Sequence, residues 1–353
     1  MGAACQAGAV HVVTEPPRAG CPKRMHHGPC GGVRVHGLCE MAPAPCVFLE
    51  PSAWPEAPER VRTGARVRAP LVLTDLSTPP ADAATLRRVV GLLAPTCDAV
   101  LAGDHQDRPD FPPSTIARLV DAAGGVPWVT MACRDRNRIT LEAELQALAL
   151  DGLATVLCVT GDGRAYDVRP DVTQVFDLDG PRLASLAAGL GLPVAVPETP
   201  TAPPRAFRPE RLVHKQRAGA GAAVLNHVPR TADVAAFVGA ARALGLTVPV
   251  VASVPLFTDA RSAAVLDALP GLEIDPARVE EVLGADDPVE AGIAAAVDAA
   301  LALLDVEGVA GVNLSGMASA RGVLPAAEIQ AETGRRVRAR VTALRGRSAP
   351  PGP

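Results

Sequence analysis

From residue 70 onward, short apolar runs alternate with stretches whose apolar positions recur every three to four residues. The runs PLVLTDL (70–76), CDAVLAG (97–103), VPWVTMAC (126–133), ATVLCVT (154–160), PVAVPE (193–198), AAVLNHV (222–228), VPVVASV (248–254) and GVAGVNL (308–314) read as strands. They are apolar throughout rather than alternating, which is the pattern of parallel strands buried on both faces. Helical spacing fills the intervals at 82–94, 113–123, 138–151, 181–190, 209–218, 231–244, 259–269, 276–284, 288–304 and 325–345. Eight strand-helix alternations predict an α/β fold of the (β/α)8 TIM barrel type over residues 70–346 rather than a doubly wound sheet. No G-x-G-x-x-G follows the first strand, which argues against dinucleotide binding of the Rossmann kind.

In a parallel barrel, ligands bind where the strands end. The polar residues at those ends are Asp75, Asp104-His105-Gln106, Arg134 to Arg138, Thr160-Gly161-Asp162, Glu198, Asn226-His227, and Asn313 with Ser315. The densest chemistry lies within Val129–Gly163, where an arginine-rich turn after the third strand faces the acidic turn of the fourth. Carboxylates interspersed with amides and cations suit a polar heterocycle. Asp110 and the DLDG at 177–180 read as caps or turn formers. Lys215 falls in the helix before the sixth strand.

Residues 1–60 break the pattern. They are rich in Gly, Pro and Cys and show almost no helical period, and 61–69 reads as a linker. Cys21, Cys30, Cys39 and Cys46 follow C-x8-C-x8-C-x6-C. So short and aromatic-poor a segment needs added stabilisation, which a bound metal supplies. Four thiolates suit tetrahedral zinc or a [4Fe-4S] cluster. His26, His27 and His36 could replace a ligand but read better as solvated, and Cys97, Cys133 and Cys158 read as small core hydrophobes. A net charge of -4 gives no reason to expect nucleic acid. With neither a long apolar span nor a secretory start, the expectation is a cytoplasmic protein without a membrane segment.

These residues carry a resemblance. TMACRDRNR, VLCVTGDG, KQRAGAGAAVLNH, VPVVASVPLF and GVNLSGM resemble the methylenetetrahydrofolate reductase family, and CPKRM-x2-GPCGG is similar to a cysteine module associated with it. The resemblance implies a flavoprotein oxidoreductase of one-carbon metabolism and methionine biosynthesis. Hydride would pass from NAD(P)H through FAD to 5,10-methylenetetrahydrofolate, giving 5-methyltetrahydrofolate. It places Arg134, Thr160, Asp162 and Lys215 at the flavin, and Asp162, Glu198 and Asn226 at the folate. Asp75 and Asp162 take the catalytic positions, and the four cysteines bind metal. Asn226 stands where the family has glutamine, and Leu76 where it has the glutamate acid. Val196 replaces a tyrosine, and Arg208 and Arg211 replace polar partners of the lysine. Two alternatives accompany this reading: a folate-binding barrel serving methyl transfer without reductase activity, and a non-catalytic partner subunit. A homo-oligomer or a redox subunit is the expected protein partner.

Overall fold

The computed structural model describes residues 16–50, 67–69, 71–163, 169–268 and 272–347. Eight parallel strands close into a barrel in the order β1 to β8, with β8 pairing back onto β1. The strands are β1 (Val72–Leu76), β2 (Ala99–Ala102), β3 (Pro127–Ala132), β4 (Thr155–Val159), β5 (Val194–Glu198), β6 (Ala222–Leu225), β7 (Val250–Leu256) and β8 (Val309–Gly316). Between and after them run α1 (Ala83–Leu93), α2 (Pro113–Ala122), α3 (Arg138–Asp151), α4 (Gly180–Gly189), α5 (Arg208–Arg217) and α6 (Thr231–Ala243). The connection from β7 to β8 holds α7 (Ala260–Ala268), α8 (Pro276–Leu283) and α9 (Pro288–Leu304), and α10 (Val323–Arg347) closes the ring. The TIM-barrel expectation is met.

Local chemistry sets the helix ends. Asn137 caps α3 by accepting from the Thr140 amide, and Gly152 ends it in the left-handed region at φ 66. Asp82, Asp179 and Asp287 cap α1, α4 and α9 in the same way as Asn137. Along each strand, alternate residues face the barrel interior or the helices. The interior holds Leu73, Ala99, Leu101, Trp128, Leu157, Ala195, Ala222, Val224 and Val251. One indole among several alanines fills the space where equal large residues would collide. Val67 joins this interior cluster, so the last residues of the predicted linker are packed against the barrel; residues 61–66 lie outside the described residues. In α3, Leu141, Leu145 and Leu148 are buried as the spacing requires, but Ile139 and Leu150 face solvent. Among the described residues, no helix is long and apolar enough to cross a membrane.

The cysteine module, described over 16–50, is mostly turns around Met25, Val33 and Phe48, each at most 4% exposed. Arg18 and Met25 close one loop through a 2.9 Å backbone hydrogen bond, and Cys39 and Ala44 close another at 2.8 Å. The module rests on the rim formed by the strand C-termini. Asp179, at the start of α4, accepts from the amides of His26 (2.9 Å) and His27 (3.1 Å). Arg208 donates to Cys30 O at 2.9 Å and Arg211 to His27 O at 3.1 Å. His27 is consequently 5% exposed, not solvated as its sequence context implied.

Candidate functional site

Where module and rim meet, they enclose a cavity of 360 Å³ over β3 to β6. Its wall includes Arg134, Thr160, Asp162, Glu198, Lys215 and Asn226 from the barrel, and Lys23, Cys30, Gly31 and Gly32 from the module. Every barrel residue expected at the flavin or folate is therefore in one place, with the exception of Asp75. That carboxylate sits at the β1–β8 seam, accepting from Asn313 Nδ2 at 3.0 Å and from the Gly316 amide at 3.2 Å. Burial pushes Asp75 above the ordinary aspartate range, against the lowering effect of these hydrogen bonds.

Asp162 stands in the tight turn between β4 and the following segment. Gly161 holds a φ of +92, where a side chain would be strained, and a Cβ there would come within 3.0 Å of Arg134 Cβ. Burial raises the Asp162 pKa, a rise that Lys23 and Arg134 oppose and Glu40 reinforces. Gln106 Nε2 lies 3.4 Å from its Oδ2. Burial thus favours the protonated form of Asp162 relative to an exposed aspartate.

Glu198, at the end of β5, behaves oppositely. Its side chain is fully buried, with Lys215 Nζ at 2.8 Å, Arg208 at 3.2 Å and Arg211 at 3.9 Å. Burial alone would raise its pKa, but the three cations hold it at about 2. Lys215 is pushed down to about 8 by burial, against the pull of Glu198. The Lys215 side chain is therefore a buried ion-pair partner, not the solvated lysine its helical context allowed. Arg134 donates to Asp135 (2.8 Å) and to His105 O (3.0 Å), and Thr160 Oγ1 accepts from the Gly180 amide at 2.9 Å. Asn226 donates to Thr199 Oγ1 at 2.9 Å. Lys23 was not distinguishable in the sequence, because nothing in a turn-rich module says which surface it docks against.

The four module cysteines line a second, smaller cavity of 40 Å³ together with Lys23, Met25, Glu40 and Phe48. All four are free thiols. Burial raises the pKa of Cys21, Cys30 and Cys46. Among the described residues, no three His, Cys, Asp or Glu side chains are set to hold a single ion. Four thiols lining one cavity are a donor set of the kind that zinc or an iron–sulfur cluster takes. Cys97, Cys133 and Cys158 are core residues, no more than 7% exposed.

Residues 3–66 match the family described as "Methylene-tetrahydrofolate reductase C terminal". An uncharacterized protein from Clostridium thermocellum that binds two copies of 5-methyl-5,6,7,8-tetrahydrofolic acid is similar in fold, with a TM-score of 0.54 at 11% identity. The match covers 77% of this chain and 96% of that one. Tryptophan synthase from Mycobacterium tuberculosis in space group F222 matches with a TM-score of 0.44 at 14% identity, covering 79% and 94%. No protein with a curated description matches the chain.

Proposed function

We propose that this chain binds a reduced folate in the rim cavity and acts at the level of 5,10-methylene- and 5-methyltetrahydrofolate, as a methylenetetrahydrofolate reductase-type protein with its cysteine module in the same chain. The observation that carries the reading is the cavity: the carboxylate of Asp162 and the amide of Asn226, with Asp104, Gln106 and Glu198 beside them, line a wall that module and barrel build together. A pterin presents adjacent N–H donors and a carbonyl on one edge. A carboxylate accepts from the former, and an amide supplies both a donor and an acceptor. Glu198 is held ionised by its three cations and serves to fix the rim rather than to move protons. Asp162 is the group placed to hold or release a proton at the ligand.

The reductase form of this activity would use NAD(P)H as hydride donor and FAD as the carrier of hydride to the folate. Of the four residues the resemblance gives to the flavin, Arg134, Thr160 and Lys215 are committed to protein partners, and the fourth is Asp162. The cavity, at 360 Å³, stands near the lower end of the roughly 300–1,000 Å³ of small-molecule sites. The reductase form needs flavin and folate side by side on this rim, where those three flavin-side residues are already paired within the protein. This supports a second reading, in which the barrel holds folate for a methyl-transfer system without reducing it. At the thiol cavity a [4Fe-4S] cluster fits the donor set and would supply one-electron transfer.

An absorbance spectrum with iron and zinc analysis, followed by NADH oxidation in the presence of methylenetetrahydrofolate, tests these readings. Turnover supports the reductase, and folate binding without turnover supports the methyl-transfer reading. A protein that neither binds nor turns over folate would overturn both and leave the partner-subunit alternative.

A further inference from the structure

We infer that Lys23 and Glu40 of the cysteine module are positioning residues of the rim site, which fix Asp162 from outside the barrel. Lys23 is 3% exposed, and its Nζ donates to Gly161 O at 2.7 Å. The same Nζ pairs with Glu40 Oε1 at 2.7 Å. Glu40 Oε1 in turn accepts from the Gly163 amide. The ion pair therefore grips the backbone on both sides of Asp162, one residue before it and one after.

The contact is closely fitted. A Cβ on Gly163 would lie 2.3 Å from Met41 Cγ and 3.3 Å from Glu40 Oε1, so any side chain here would force Met41 to move. A buried lysine and carboxylate would cost stability if either were left alone, which locks the two together. Lys23 lines both the rim cavity and the thiol cavity, and Cys30 Sγ donates to Glu40 Oε2 at 3.7 Å. Lys23 and Cys30 thus border both cavities, and Glu40 ties them together from the thiol side. It follows that the barrel alone does not make a complete site: the module sets where the ligand-facing carboxylate stands.

The inference concerns the geometry of Asp162 and rests on the folate reading only for the choice of ligand probe. The test uses hydrogen exchange, read by mass spectrometry on peptides spanning 155–163, in the full-length protein and in Lys23→Met, Lys23→Arg and Glu40→Gln. The expected result is faster exchange at 161–163 in Lys23→Met and Glu40→Gln, at least partial recovery in Lys23→Arg, and unchanged protection of β6 and β7. Wild-type protection at 161–163 in both Lys23→Met and Glu40→Gln would overturn the inference. So would a uniform loss of protection across β6 and β7, because that reports general unfolding. Titration with 5-methyltetrahydrofolate adds a second readout: at least tenfold weaker binding to Lys23→Met. Failure of the wild type to bind would strike the folate reading, while the exchange data would still decide the role of Lys23.

Discussion

Replacing Glu198 by Gln isolates the buried charge cluster beneath the rim. The carboxylate is fully buried among Lys215, Arg208 and Arg211. Its pKa falls from the ordinary 4.5 to about 2, a shift equivalent to roughly 3 kcal/mol. Lys215 falls from 10.5 to about 8, a cost of similar size at neutral pH. The intact pair therefore contributes little net stability, and the expense appears only when one member is removed. Glu198→Gln leaves three buried cations facing a neutral amide and should destabilise the fold by about 3–5 kcal/mol. The assay is urea unfolding at pH 7, followed by far-UV circular dichroism. A lower midpoint with an unchanged slope is expected, together with partial recovery in Glu198→Gln/Lys215→Met. The sign with pH also follows: the stabilisation from Glu198 is complete above 4.5 and is lost as pH falls through about 2. A Glu198→Gln protein within about 1 kcal/mol of wild type would refute the reasoning.

Two further outcomes are expected. His227 is 1% exposed, with Nδ1 3.1 Å from Glu273 O, and burial lowers its pKa to about 4. A depressed histidine favours the neutral form, so stability should decline as pH falls from 6.5 to 4, by up to roughly 3 kcal/mol. His227→Phe should flatten that limb in melting curves taken across this range. On the proposal that the module holds a metal, a chelator should make Cys21, Cys30, Cys39 and Cys46 more reactive toward a thiol reagent and expose the module to protease, and unchanged reactivity would count against a bound metal. Cys97, Cys133 and Cys158 should stay unreactive until global unfolding, since each is buried in the barrel.

Much of the barrel was legible in the chain because its strands are continuous apolar runs and its helix ends carry their own caps. The span 138–151 was read to the residue, with Asn137 and Gly152 marking its ends. Strand ends were less sharp. AAVLNHV reads as one apolar run, yet β6 ends at Leu225, and Asn226 follows it with its amide on Glu198 O and its side chain on Thr199. The rim residues were legible as types but not as partners. Glu198 looks like a free ligand group in PVAVPE; only the approach of α5, carrying Arg208, Arg211 and Lys215, makes it a structural anion. Asp75 was placed at the site because it ends β1, but its pairing with Asn313 draws it to the β8 seam. The docking of the module was not legible, because it runs through backbone groups such as Gly161 O and Cys30 O that any residue supplies.

Calorimetric titration of 5-methyltetrahydrofolate into the full-length protein, alongside Asp162→Asn, tests the central claim most directly. The account predicts a single saturable site in the wild type and at least tenfold weaker binding to Asp162→Asn at unchanged melting temperature. No binding to the wild type, or equal binding to the two proteins, would contradict it.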